Sequence, residues 1–324
     1  MKGELVTVAV TTYNCEDYVV ETLESVFNQE YRDIELLISD DFSIDNTVRT
    51  VKDWLSQSRV EKRFSNIRFL TVEKNTGISA NCNRCIKAAS SDWVKFIAGD
   101  DILLPNCLSA NMNFVNQNPG AQVIFSSVKI YEHTFEEKNF KGITPVEFPN
   151  NLMNPEFDAH DQWEILLESD RVHYTPSYFF NRKALASVGY YDETNKLVED
   201  YPMWLKLTKS GTRLYFCNEV TVGYRKYKFL KEEENIENIF NSSLITGFKT
   251  RKKYAHPYLR WFVILEEYWV FGVSNIFQKL NINKKKYFYP LLYRLLTVYA
   301  NPFLYLNALK RRFSRSPLFK KHLV

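Results

Sequence analysis

Asp100 and Asp101 are adjacent carboxylates at the end of a run, Trp93-Val94-Lys95-Phe96-Ile97-Ala98-Gly99, that reads as a buried strand opening into a cleft. Two acids side by side repel each other and resist desolvation unless a cation neutralises them, and oxygen-only ligands suit Mg²⁺ or Mn²⁺. The chemistry on offer is a divalent metal holding a phosphorylated substrate, at the kind of strand end where open α/β sheets collect ligands. The plainer reading is a loop and cap ahead of a helix led by Pro105.

The elements that must position this pair follow a βαβ rhythm. Strands are predicted at 5–10, 34–39, 67–72 and 93–97, about 30 residues apart. Val19, Val20, Leu23, Val26 and Phe27 repeat at helical spacing after the first, and Val48, Val51 and Leu55 after the second. Right-handed crossovers make such strands parallel, so their carboxyl ends share one edge. Each end leads into a polar turn: Thr11-Thr12-Tyr13-Asn14, the stretch 40–47 with Asp40, Asp41, Asp45 and Thr47, Asn75-Thr76-Gly77, and Asp100-Asp101. Four such turns on one edge point to a site more strongly than any single turn; Asp45 and Thr47 read as a helix cap. Further on, 105–115 reads as a helix and 121–131 as a strand. The polar, proline-bearing stretch 132–161 reads as a surface loop at the rim where an acceptor enters. Together these give an α/β fold with a Rossmann-like, mostly parallel central sheet flanked by helices and a helical C-terminal extension.

Composition bounds the classes. At 324 residues, with 45% hydrophobic and 25% charged residues, the chain can form one large domain with an appendage. No charged start leads into an apolar run and no stretch nears 18 apolar residues, which predicts a cytoplasmic location. Five scattered cysteines do not form a disulfide framework, and Cys82-x-x-Cys85 reads as buried thiols on a helix face rather than a zinc or redox pair. The net charge of +4 hides a division: from Arg251 onward fifteen Lys and Arg face only Glu266 and Glu267, about +13, against −9 for the first 250 residues. Residues 226–324 also interleave aromatics with Lys284-Lys285-Lys286 and Lys310-Arg311-Arg312. Such a tail fits either peripheral binding at the inner face of an anionic plasma membrane or packing on residues 1–225 with a solvated basic face. No recognition motif accompanies the charge, so nucleic acid is not an expected partner.

In order and spacing, Val8 to Asn14, Ser25 to Gln29, Glu35 to Thr47, Asn75 to Ser79 and Phe96 to Asp101 resemble the nucleotide-sugar-binding half of family 2 glycosyltransferases, inverting enzymes of the GT-A fold. The resemblance is close over the first 130 residues and looser to Tyr224. It implies a catalytic domain over 1–225, with 1–130 for the nucleotide-sugar and 131–225 on the acceptor side. Asp41 is similar to the acid that reads a uracil base, with Thr11, Thr12, Tyr13 and Asn14 beside it. Asp101 matches the acid holding Mn²⁺ or Mg²⁺ at the diphosphate, and Asp100 the acid nearer the sugar or ribose. Asn75, Gly77 and Asn83 fall where the family contacts its donor. Three positions depart from the pattern: Ala98 where an acid is common, Phe42 for the usual Gly, and Cys82 where an Arg is frequent.

Val188 to Glu193 and Val198 to Leu205 resemble the family's acceptor-side motifs, and Asp200 matches the base that takes the acceptor proton. Its plainer role is an acid in the first turn of a helix, with Trp204 and Leu207 in the core and Gly211 at the end. Glu199 and His173 read as structural. The implied reaction is metal-dependent transfer from a UDP-sugar to a hydroxyl of a glycan or lipid-linked saccharide, as in bacterial surface polysaccharide synthesis. Its rivals are a sugar-phosphate nucleotidyltransferase, which would want a glycine-rich basic loop after the first strand, and a non-catalytic membrane-associated nucleotide-binding scaffold. No G-x-G-x-x-G follows the first strand, which disfavours a dinucleotide oxidoreductase.

Overall fold

The structure, a computed structural model, describes residues 3–147, 151–172, 174–195, 198–226, 237–241 and 243–313. The chain divides into two compact units, Met1–Tyr227 and Lys228–Val324. His173 lies outside the described residues.

In the first unit β1 (Val6–Thr12), α1 (Val19–Phe27), β2 (Ile34–Asp40), α2 (Thr47–Leu55), a one-turn α3 (Ser58–Glu61), β3 (Asn66–Leu70), α4 (Ile78–Ala88) and β4 (Trp93–Ala98) succeed one another. There follow β5 (Ile102–Leu103), α5 (Cys107–Gln117), β6 (Val123–Glu132), β7 (Phe140–Thr144), α6 (Ala159–Glu168), β8 (Phe179–Asn181), α7 (Arg182–Ser187), α8 (Asp200–Lys209) and β9 (Leu214–Lys226). Among the described residues they build one sheet in the order β3-β2-β1-β4-β8-β6-β9-β5, with β7 on β6. β1 pairs in parallel with β2 and β4, and β2 with β3. Every residue of β1 and β2 is buried, as expected for parallel strands covered on both faces. Beyond β4 the sheet is mixed: β8 runs antiparallel to β4 and β6, while β6 and β9 are parallel.

Several boundaries differ from the sequence reading. β1 continues through Thr12, paired with Asp40, so Thr11 and Thr12 are ladder residues and not part of the turn. Residues 132–161 are more than a loop: β7 pairs antiparallel with β6, and Phe140 packs edge-on against Tyr131 at 5.7 Å. Asp158 then starts α6 through a capping box with Asp161. The thiols of Cys82 and Cys85 are buried and unpaired, and burial pushes that of Cys85 up to about 12.

The second unit is helical where described: α9 (Ser243–Tyr254), α10 (Trp261–Lys279), α11 (Tyr289–Arg294) running into a π-turn over Leu295–Tyr299, and α12 (Pro302–Phe313). Phe248 stacks on Phe271 at 4.0 Å, and Phe277 meets Tyr293 edge-on. Glu267 accepts from Arg251 and contacts His256 Nε2 at 2.8 Å, so its carboxylate is engaged inside the unit.

Candidate active site

The carboxyl ends of β1, β2 and β4 carry most of the residues that the sequence singles out. The Asp100-Asp101 turn begins with Gly99, whose N–H donates to the carbonyl of Thr11 (2.9 Å). A Cβ there would lie 2.7 Å from Cys15 Sγ and 3.0 Å from Thr12 Cγ2, so the close approach of β1 requires glycine. After the turn, β5 pairs antiparallel with β9, Ile102 opposite Gly223, and so the end of β9 lies beside the two acids.

Asp101 is buried and Asp100 half-buried. Burial, reinforced by the charge of Asp100, drives the Asp101 carboxyl well above the usual range, opposed by an N–H and the guanidinium of Arg225 and by Lys95. Arg225 donates its backbone N–H to Asp101 Oδ1 (2.8 Å) and its Nε to the carbonyl of Asp100 (2.8 Å). Its other nitrogens reach Glu21 and the carbonyl of His133, and the guanidinium lies against the rings of Tyr18 and Phe135. Lys95, fully buried in the middle of β4, donates to the carbonyls of Pro176 (2.7 Å) and Tyr178 (3.2 Å), and burial lowers its ammonium to about 8.

At the end of β2, Asp40 accepts from Thr12 Oγ1 (2.9 Å) and from the N–H of Ser43 (2.8 Å). Asp41, also buried, accepts from the N–H groups of Thr76 (3.1 Å) and Gly77 (2.7 Å) and from the Thr76 hydroxyl. It thus supplies an anion to the N-terminus of α4, which has no capping side chain of its own. Asn75 donates to the Asp41 carbonyl (3.2 Å). Arg84 completes the cluster, 3.3 Å from Asp41 and 2.9 Å from Thr76 Oγ1. A cation therefore stands by Asp41 although Cys82 replaces the frequent Arg. Phe42 keeps the turn that Gly usually makes, at φ +71° and largely exposed. Asn14 accepts from the Ile44 N–H (2.9 Å), Tyr13 is exposed, and Asp45 caps α2 by accepting from the Thr47 N–H (3.0 Å).

α4 links this edge to the acceptor-side motifs. Ser79 donates to the Asn195 carbonyl (2.8 Å). Asn83 is buried; its amide accepts from Tyr191 N–H and donates to the Tyr191 carbonyl and to Glu193, each at 2.9 Å. Both polar ends of Asn83 are therefore occupied by segment 191–193, whereas the sequence reading set it against the donor. Asp200 opens α8, accepting from Thr175 Oγ1 (2.9 Å) and from the Tyr201 N–H (2.8 Å). Burial, and then the charge of Asp200, raise the neighbouring Glu199 to about 7. Trp204 and Leu207 are fully buried, and Gly211, at φ +90°, ends the helix.

Arg84, Arg225 and Lys95 went unremarked in the sequence. A lysine at the centre of a buried strand was the one local signal, since unpaired charges are rarely placed there. Arg225 comes to the acids by a pairing across more than 120 residues, which no spacing rule reaches.

Among the described residues no three His, Cys, Asp or Glu side chains form a metal cluster. The paired carboxylates offer hard oxygen donors only, and fit a Mg²⁺- or Mn²⁺-like cation that fills its remaining positions with phosphate oxygens and water.

A parallel α/β half whose carboxyl edge carries acidic turns, joined to a mixed half that supplies an acid at a helix start, is the arrangement that a resemblance to GT-A glycosyltransferases implies. The chain belongs to Glycosyl transferase family 2, whose profile matches residues 7–186. It is 24% identical over 246 residues to the UDP-Glc:alpha-D-GlcNAc-diphosphoundecaprenol beta-1,3-glucosyltransferase WfaP of Escherichia coli, covering 72% of this chain and 85% of that one. It is 30% identical over 136 residues to the GalNAc(5)-diNAcBac-PP-undecaprenol beta-1,3-glucosyltransferase of Campylobacter jejuni, 42% of this chain and 41% of that one. In fold it is similar to S. aureus TarS 1-349 in complex with UDP-GlcNAc, with a TM-score of 0.57 at 18% identity over 85% of this chain and 75% of that one.

Proposed function

We propose that this glycosyltransferase moves a sugar from a UDP-sugar, with inversion, onto a hydroxyl of a glycan or lipid-linked saccharide in bacterial surface polysaccharide synthesis. The observation that carries the reading is the edge shared by the Asp41 and Asp100-Asp101 turns, tied by α4 to the segment leading to Asp200. Thr11, Thr12, Tyr13, Asn14, Asp41, Asn75 and Gly77 form the nucleoside end; Asp41 both shapes the 75–77 turn and presents an acceptor to the base N–H. Asn83 enters as the connector between donor and acceptor segments. Asp100 faces the sugar and ribose, and Asp101 with Asp100 would hold the divalent cation. When bound there, such a cation would supply positive charge to the departing diphosphate.

Asp200 takes the proton from the acceptor hydroxyl as its oxygen attacks the anomeric carbon; the C–O bond to the diphosphate breaks on the opposite face, and UDP leaves with that electron pair. The Thr175 hydroxyl and the Tyr201 N–H fix the carboxylate for this task. The relatives named above support the acceptor class, since their names specify undecaprenyl diphosphate-linked acceptors. A screen of nucleotide-sugars for metal-dependent nucleotide release, with lipid-linked saccharides as acceptors, tests the reading. UDP release that depends on acceptor is expected; release from GDP- or dTDP-sugars alone would overturn the donor assignment.

A further inference from the structure

We infer that the second unit lays a continuous apolar and aromatic face onto an anionic lipid bilayer. The inference goes beyond the transfer reaction and rests on surface, charge and helix length. On α10 the exposed large side chains are Trp261, Leu265, Tyr268, Trp269 and Ile276. Their spacing of four, three, one and seven residues places them on a single side of a 3.6-residue helix. This is the reverse of an ordinary surface helix, since the charged pair of α10, Glu266 and Glu267, is engaged within the unit. The inward face holds Ser274 and Phe277.

A second stripe follows the same rule. Tyr287, Phe288, Leu291, Leu295, Val298 and Tyr299 are exposed through α11 and the π-turn, Tyr287 by 85% and Leu291 by 69%. The stripes adjoin at Trp269, whose indole N–H donates to the Leu296 carbonyl (2.8 Å). Isolated exposed apolar side chains are unremarkable, but a patch of this extent marks an interaction surface.

Charge selects the occupant. In sequence the second unit carries eighteen Lys and Arg against six Glu, and the two acids of α10, Glu266 and Glu267, are engaged by Asn307, Arg251 and His256. The stripes are bordered by Lys279, Lys285, Lys286 and Arg294, all exposed. Apolar side chains rich in Trp and Tyr beside exposed basic residues are the composition of a helix lying in the headgroup region of an anionic membrane. No helix among the described residues is long and apolar enough to cross one. The face therefore lies on the bilayer and does not span it.

The test is co-sedimentation of the full chain with phosphatidylcholine vesicles, with and without phosphatidylglycerol, in the absence of any sugar substrate. Binding to the anionic vesicles that weakens with salt is expected. Trp261→Ser/Leu265→Ser/Ile276→Ser should lose at least about tenfold in binding while keeping its circular dichroism melt, because those side chains are outside the core. Lys279→Glu/Lys286→Glu, at exposed positions, should erase the preference for anionic over neutral vesicles while keeping the same melt. Failure of the wild-type chain to bind, equal binding by both variants, or a dimer that forms through this face without vesicle binding would overturn the inference. None of these outcomes bears on nucleotide release, so the transfer reading stands or falls separately.

Discussion

Phe42 holds a left-handed backbone conformation that L residues adopt at a cost of about 1–2 kcal/mol, and its ring is exposed beside the proposed nucleoside pocket. That combination fits a ring kept for a ligand, since base–aromatic stacking is worth about 1–3 kcal/mol. Phe42→Gly is expected to leave the melting temperature unchanged or higher, yet raise the KM for the UDP-sugar; a loss of stability with unchanged KM would refute the role. Asp200→Asn should keep UDP binding by calorimetry and lose transfer by about 10²–10⁴-fold; near-normal turnover would remove Asp200 from the mechanism. Glu199 illustrates linkage. Its native value of about 7 lies above the unfolded one, so the native state holds a proton that the unfolded state releases, and the associated stability vanishes as pH rises through about 7. Glu199→Gln should therefore melt above the wild type at about pH 8 and level with it below about pH 5, as read by thermal denaturation.

At the scale of elements, the site depends on how closely β1, β4 and β9 approach. Gly99→Ala places a methyl group against Cys15 and Thr12 and should cost about 1–3 kcal/mol in urea denaturation. Adding Cys15→Ala should recover part of that loss; additive losses in the double variant would show that the contact is not the cause. Arg225→Met keeps the backbone N–H on Asp101 but removes the guanidinium that bonds Glu21 and the carbonyls of Asp100 and His133, and is expected to cost about 1–3 kcal/mol in urea denaturation. Much of this architecture was legible in sequence. β1, β2 and β4 announce themselves because burial on both faces leaves mostly apolar runs, β3, which has no buried residue, is legible from the βαβ spacing, and the strand ends are marked by Asn, Asp, Thr and Gly. The short β7 and β8 were not foreseen, because strands of three to five residues gain their identity from the partner and not from their own pattern. Asn83, expected at the donor, also bonds Tyr191 and Glu193, contacts that a motif match does not reveal because it fixes a residue's place on α4 but not its partners.

The whole molecule combines a first unit centred on one sheet with a helical second unit, each compact by itself. Scanning calorimetry should resolve two transitions, and saturating UDP with Mg²⁺ should raise only that of the first unit, by about 2.7 kcal/mol at a hundredfold excess over Kd. A single transition, or an equal shift of both, would count against independent units. One property shared by both halves of the catalytic sheet has a practical side. All five thiols, at 15, 82, 85, 107 and 217, are enclosed and held protonated by burial. Maleimide chemistry needs an accessible thiolate, so the native chain should be nearly inert to it. A lone cysteine engineered at an outward position would then carry a fluorophore without background, making single-site spectroscopy feasible in the otherwise wild-type enzyme.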